Sequence, residues 1–158
     1  MITFAGDIGL IEQYAFAYCR SLQSMEIPEN VSTLGMYTFY ASEAIQTYTV
    51  DPNNLYFEAV DGVLFNESIS TLYFYPVAKT GSSYNIPNTV TEIISLAFFD
   101  NMYLENIVIP ASLQILGGGV FASMNLLNNI NVDSANTEFT SVDGILYSSD
   151  MKTLYAFP

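Results

Sequence analysis

A phenylalanine returns at a fixed 23-residue step along this chain, and that period confines it to folds made by stacking near-identical units. Ala15-Phe16 recurs as Thr38-Phe39, and Ala97-Phe98 as Val120-Phe121. The neighbouring apolar positions fall into the same register. Ile11, Leu34, Ile93 and Leu116 precede the four phenylalanines, and Leu22, Ile45, Leu104 and Leu127 follow them. Further on come Met25, Tyr48, Ile107 and Ile130, then Ile27, Val50, Ile109 and Val132. A longer period of 82 residues is superimposed. Residues 1–76 laid over 83–158 without a gap give 21 identical pairs, against roughly five by chance, so the chain holds a tandem duplication.

Each 23-residue unit carries the spacing seen in Leu22-Gln23-Ser24-Met25-Glu26-Ile27. Its alternation fits a short strand, with Met25 and Ile27 pointing inward and Ser24 and Glu26 outward. Proline or aspartate follows it (Pro28, Asp51, Pro110, Asp133), and a proline, lacking an N–H for the ladder, ends a strand. A second short extended run carries Val31 and Leu34. The stretch that follows, such as Tyr37-Thr38-Phe39-Tyr40, is expected to make a single helical turn, too short to be stable alone. One unit cannot bury its own apolar side, but stacked units align their inward residues into continuous columns. Interior units then need both neighbours, which leaves the two ends weakest. A segment from Phe57 to Pro76, with its twin from Phe139 to Pro158, reads as an inserted β-hairpin whose tip is Asn66-Glu67-Ser68. Asp61-Gly62 is read as a local bend at the start of a strand. Residues 77–82 read as a linker returning the chain to the next repeat, within a single domain spanning 1–158.

The pattern I-P-x-x-V-x-x-I/L-G-x-x-A-F-x-x-C-x-x-L-x-x-I-x-I-P resembles the BspA-like leucine-rich repeats of bacterial and protist surface antigens. Ile11, Ala15, Phe16, Cys19, Leu22, Met25, Ile27 and Pro28 carry the match in the first unit. Ile86, Pro87, Val90, Ile93, Ala97, Phe98, Leu104, Ile107, Ile109 and Pro110 carry it in the third. The sequence departs from the pattern at Ser42, Asn101 and Met124, which stand at the cysteine position, and at Glu12 and Ile94, which replace the glycine. The resemblance implies a β-rich leucine-rich-repeat solenoid of ~23-residue repeats, with short strands, single helical turns and inserted β-hairpins. It also implies a surface-exposed or secreted protein that adheres to proteins or matrix without catalysis. Neither end shows an obvious polar cap, so the array reads as part of something longer, whose signal peptide or anchor would lie outside these residues.

Composition narrows the function further. Sixteen acids against three bases (Arg20, Lys79, Lys152) give a net charge of −13. Such a surface repels a phosphate backbone and an anionic membrane, which excludes nucleic acid as a partner and disfavours membrane association. No histidine is present, so serine– or cysteine–histidine catalysis has no base and zinc has no imidazole. Cys19 has no partner for an internal disulfide and reads as a packing residue. The longest uninterrupted apolar run, Leu72 to Ala78, falls far short of the ~20 residues that span a bilayer.

Three groups of residues suggest chemistry, and each has a stronger structural reading. Asp51-Pro52-Asn53-Asn54 and Asp133-Ser134-Ala135-Asn136 could supply calcium oxygens, but Asp and Asn are also what turns prefer. Glu26, Glu58 and Glu105 do not recur at equivalent repeat positions, as a built carboxylate pair would require. Gly117-Gly118-Gly119 lacks the lysine of a phosphate loop. No cofactor is therefore expected. The expected binding face is the outward side of the strands: Ser24, Glu26, Thr47, Thr49, Asn106, Val108, Asn129 and Asn131. Its expected partner is a protein or extracellular-matrix ligand. The alternative is a structural spacer or repeat stalk that associates end to end.

Overall fold

The structure, a computed structural model, describes residues 2, 4 and 6–158. Met1, Thr3 and Ala5, which open the first 82-residue unit, lie outside the described residues. The chain winds into a β-solenoid of about five turns. Each turn contributes a strand to each of two series, one short and one longer except in the third turn, and like strands pair in parallel within turns one and two and within turns three to five. The short strands are β1 (Leu10–Ile11), β3 (Thr33–Leu34), β7 (Thr71–Phe74), β9 (Glu92–Ile93) and β11 (Ile115–Leu116). The longer series holds β2 (Ser24–Ile27), β4 (Thr47–Val50), β8 (Ser83–Asn85), β10 (Asn106–Ile109) and β12 (Asn129–Val132). Ser24 pairs with Thr47 and Asn106 with Asn129, each exactly one 23-residue step away.

Burial follows the expected alternation. Met25 and Ile27 are fully buried while Ser24 and Glu26 face solvent. Burying such a side chain contributes about 1.5–3 kcal/mol. The phenylalanine column also forms: Phe16 stacks on Phe39 with ring centroids 5.6 Å apart, and Phe98 meets Phe121 at 5.6 Å. Phe74 and Tyr75 continue it through the third turn. Phe74 meets Phe39 edge-on at 5.4 Å, and Tyr75 stacks on Phe98 at 5.0 Å.

The expected helical turn is absent: no helix occurs among the described residues. Its place is taken by a looped segment with two left-handed residues per repeat. These are Tyr14 and Tyr18, Tyr37 and Ala41, Leu96 and Asp100, and Gly119 and Ser123, all with φ between 55° and 62°. Alternate N–H groups in this segment close local turns, as Ala17 does on the Tyr14 carbonyl and Phe99 on that of Leu96. The others donate to the next turn of the solenoid: Phe16 to the Thr38 carbonyl, Tyr18 to Tyr40, Phe98 to Val120 and Asp100 to Ala122. A helix would direct those N–H groups to carbonyls of its own strand of chain. Here the neighbouring turn takes them, and buried backbone donors must be satisfied somewhere.

The inserted segment also differs from expectation. It is a three-stranded antiparallel meander, β5 (Phe57–Val60), β6 (Val63–Asn66) and β7, repeated as β13 (Phe139–Val142), β14 (Ile145–Ser148) and β15 (Leu154–Ala156). Val60 pairs with Val63, so Asp61-Gly62 is the hairpin tip and not a bend beside it. Both residues are left-handed, at φ 51° and 78°, which is the geometry of the two-residue type I′ turn that matches strand twist. Asp143-Gly144 repeats it at 51° and 81°. The Asn66-Glu67-Ser68 stretch forms the second turn of the meander, held by the Asn66 carboxamide oxygen, which accepts from the N–H groups of Ser70 and Thr71.

The first meander sits inside the stack. Val63, Leu64 and Phe65 are all fully buried. Leu64 packs with turns one and two, while Val63 and Phe65 pack with turns three to five. A strand with apolar residues on both faces is a strand between two cores. Residues 77–82 complete the third turn between β7 and β8, where Ala78 donates its N–H to the Ile45 carbonyl. Gly35 and Gly117 mark the closest approach between turns. A Cβ at Gly35 would lie 2.2 Å from the Gln13 nitrogen, and one at Gly117 would lie 2.3 Å from that of Ser95. Ile94 stands one repeat before Gly117 and packs against both cores.

Candidate binding surface

The eight residues expected on the binding face all lie on the longer strands, but they form two patches. Ser24, Glu26, Thr47 and Thr49 occupy β2 and β4, in register Ser24 with Thr47 and Glu26 with Thr49. Asn106, Val108, Asn129 and Asn131 occupy β10 and β12, in register Asn106 with Asn129 and Val108 with Asn131. The β5–β6 hairpin separates them. The Tyr48 N–H donates to the Gly62 carbonyl at 2.9 Å, so the hairpin tip occupies the edge where the next parallel strand would pair. The tip lies so near Thr47 that a Cβ on Gly62 would come within 2.5 Å of its Oγ1. The same closure recurs at Gly144, whose carbonyl accepts from the Ile130 N–H.

The two patches differ in charge. Glu26 lies in the first, where Glu29, Asp51 and Glu58 flank it. Their counterparts one 82-residue step on are Val108, Ala111, Asp133 and Thr140. The second patch is an uncharged amide ladder in which Asn129 Nδ2 donates to Asn106 Oδ1 at 3.2 Å. Such cross-strand pairs fix side chains before a ligand arrives. Ser83 and Asn85 on β8 extend this patch by one strand through their pairing with Asn106 and Val108. Sequence reading missed them because the third turn departs from the 23-residue template.

The other candidate groups have structural tasks. Asp51 Oδ1 accepts from the Asn53 N–H and Asp133 Oδ1 from the Ala135 N–H, each closing its own turn. Asn54 Nδ2 donates to the Pro28 and Val31 carbonyls, while its Oδ1 accepts from the N–H groups of Tyr56 and Phe57. Asn136 repeats all four bonds one unit later. At the repeat position of Cys19, Ser42 Oγ accepts from the Cys19 N–H and donates to the Phe16 carbonyl. Asn101 at the same position donates to the Pro76 and Val77 carbonyls. No helix among the described residues is long and apolar enough to cross a membrane.

A parallel solenoid of 23-residue turns with a Phe column and polar outward strand ladders defines a leucine-rich-repeat class. A model of the BspA type leucine-rich repeat region matches residues 1–59 and 67–151 in 6 copies. The chain belongs to this BspA-type leucine-rich repeat family. It is similar in fold to the pneumococcal vaccine antigen PcpA, with a TM-score of 0.63, 21% identity and coverage of 85% of this chain and 45% of that one. A leucine rich cell surface protein from Faecalibacterium prausnitzii matches with a TM-score of 0.72 and 28% identity, over 85% of this chain and 35% of that one. A leucine-rich repeat protein from Eubacterium ventriosum matches with a TM-score of 0.60 and 24% identity, over 70% and 36%. The chain thus spans less than half the length of each of these solved chains. No curated protein matches it significantly.

Proposed function

We propose that this chain is a non-catalytic binding module of a cell-surface or secreted protein, engaging a protein or extracellular-matrix ligand through its outward strand faces without a cofactor. The observation that carries this reading is the pair of ladders on β2–β4 and β8–β10–β12, whose outward side chains, all polar but Val108, are held in register. Surfaces of that kind offer area and hydrogen bonding with little side-chain entropy to lose. A neighbour described as a cell surface protein supports the location. The absence of histidine from the whole chain supports the lack of general-base chemistry. The test is a binding screen against immobilised collagen, fibronectin and laminin, using the wild type, Thr49→Arg and Asn129→Arg. Loss of a wild-type interaction in either folded variant supports the face. A bound ligand indifferent to both variants overturns it.

A further inference from the structure

The looped segments carry an aromatic surface that the strand faces do not explain. Tyr14 and Tyr37 stack with ring centroids 5.4 Å apart. Tyr40 meets Tyr14, Tyr18 and Tyr37 edge-on at 6.2, 5.8 and 6.4 Å. Its own face lies on Phe99 at 5.3 Å, with the planes 24° apart. Tyr40 and Phe99 belong to turns two apart and touch because the third turn is cut short. Thr71 pairs with Glu92 and Ser83 with Asn106, so the third turn takes 12 steps (71 to 83) where the fourth takes 14 (92 to 106). The third turn lacks the pair of left-handed residues near φ 60° that each of the other loops carries. The result is one patch of five rings drawn from three turns. Tyr14 and Tyr18 are among the exposed large hydrophobic residues of the chain.

Two carboxylates stand at its rim. Asp100 directly follows Phe99, and Glu43 lies two residues beyond Ala41, which lines the gap between turns two and four. Burial, and then the negative charge of Glu43, push the half-buried Asp100 carboxyl above its ordinary range. Neither acid has an ion-pair partner among the described residues. Lys152 pairs with Asp150 at 3.3 Å, Lys79 Nζ donates to the Asp61 carbonyl, and Arg20, one repeat step before Glu43, makes no ion pair with it.

We propose that this patch docks a basic segment of a partner protein, with an arginine or lysine side chain laid against the rings and its charge held by Glu43 and Asp100. An aromatic face within about 6 Å attracts a cation, and the attraction grows as water is excluded. Tyrosine at an interface supplies area while losing few rotamers. The charge of the chain complements such a partner, at −13 with only three basic residues, and would speed its encounter. A glycan is the competing occupant of an aromatic surface. Beside the tyrosine hydroxyls, which could serve either occupant, the rim carries two carboxylates without an ion-pair partner, and these favour a cation over a neutral sugar.

The test titrates the whole chain with an oligo-arginine peptide and with its uncharged citrulline counterpart, by calorimetry and by tyrosine-ring NMR. The arginine peptide should bind and shift the Tyr14, Tyr37 and Tyr40 ring signals, and the citrulline peptide should not. The near-isosteric double variant Glu43→Gln/Asp100→Asn should weaken binding by about tenfold or more, as loss of close charge partners does. A charge-matched pair on exposed turns outside both surfaces, Glu67→Gln/Glu138→Gln, should stay within about twofold, since distant exposed charges are screened. Equal weakening by the two double variants would reveal mere attraction to net charge and overturn the proposal. Equal binding of the citrulline peptide, or ring shifts with a neutral oligosaccharide alone, would overturn it as well.

Discussion

The two meanders are near copies in sequence and opposites in burial. Thr71-Leu72-Tyr73 and Thr153-Leu154-Tyr155 are identical, 82 residues apart. Yet Leu72 is 0% exposed and Leu154 56%, and Tyr75 is 3% exposed where its counterpart Phe157 is 74%. The difference is the neighbour. In the first meander β9 pairs with β7 in parallel, through Thr71–Glu92 and Leu72–Ile93, and Phe98 stacks on Tyr75. Among the described residues, no turn follows the second meander. In a solenoid the burial of a residue, and hence its contribution to stability, is a property of the interface between turns and not of the unit that carries it.

The sharpest way to break this comparison is the pair of leucines. Leu72→Ala should cost about 2–5 kcal/mol, the range for truncating a fully buried leucine. Leu154→Ala should stay within about 0.5 kcal/mol, as for an exposed site. Urea denaturation measures both, and equal losses would mean that the turns do not depend on one another. Gly35→Ala should cost about 1–3 kcal/mol or more, because the added Cβ meets backbone of the preceding turn that cannot step aside. Gly118→Ala, whose Cβ would find only Ser95 Oγ at 3.9 Å, should be close to neutral by the same assay.

Asn54→Ala strips partners from two carbonyls and two N–H groups at a buried site, and should cost about 1–3 kcal/mol. Asn136→Ala removes the same four bonds where the residue is half-buried, so thermal melts should rank it below Asn54→Ala. The last difference is one of pH. Burial pushes the Tyr75 hydroxyl from 10.0 up to about 12 and raises Tyr48 and Tyr84 as well. The folded state therefore holds these protons more tightly than the unfolded chain does. Stability should be intact below pH 10.0 and fall as pH climbs from there toward about 12. Two of the three, Tyr48 and Tyr75, lie in the first 82-residue unit and only Tyr84 in the second, so hydrogen exchange should show the first unit loosening earlier. Simultaneous loosening of both units would show that they open as one cooperative block.

Much of this architecture was legible in the residues. The 23-residue step placed every longer strand but β8, and the alternation in Ser24-Met25-Glu26-Ile27 assigned inward and outward sides correctly. Asp61-Gly62 was misread because a type I′ tip is recognised by what pairs across it. The chain offered β-prone residues on both sides of two candidate turns. Tyr37-Thr38-Phe39-Tyr40 was misread as a helical turn for a related reason. Its backbone partners lie a full repeat away, and no local rule detects them. Tyr14 and Tyr37 stand 23 residues apart, which was the available sign of an aromatic stack. Phe99 joins that stack only through the shortening of the third turn.

The stacking period, the apolar columns and the water-facing side of each strand can be read from the residues alone, because periodicity acts through the geometry of the repeating unit. Histidine chemistry is excluded in the same way, because composition settles which groups exist. Packing between turns is what buries β6 on both faces, divides the outward ladder at the Gly62 tip and makes Leu72 and Leu154 differ. Each of those depends on which surface lies across a gap, and that surface comes from another turn or hairpin of the chain.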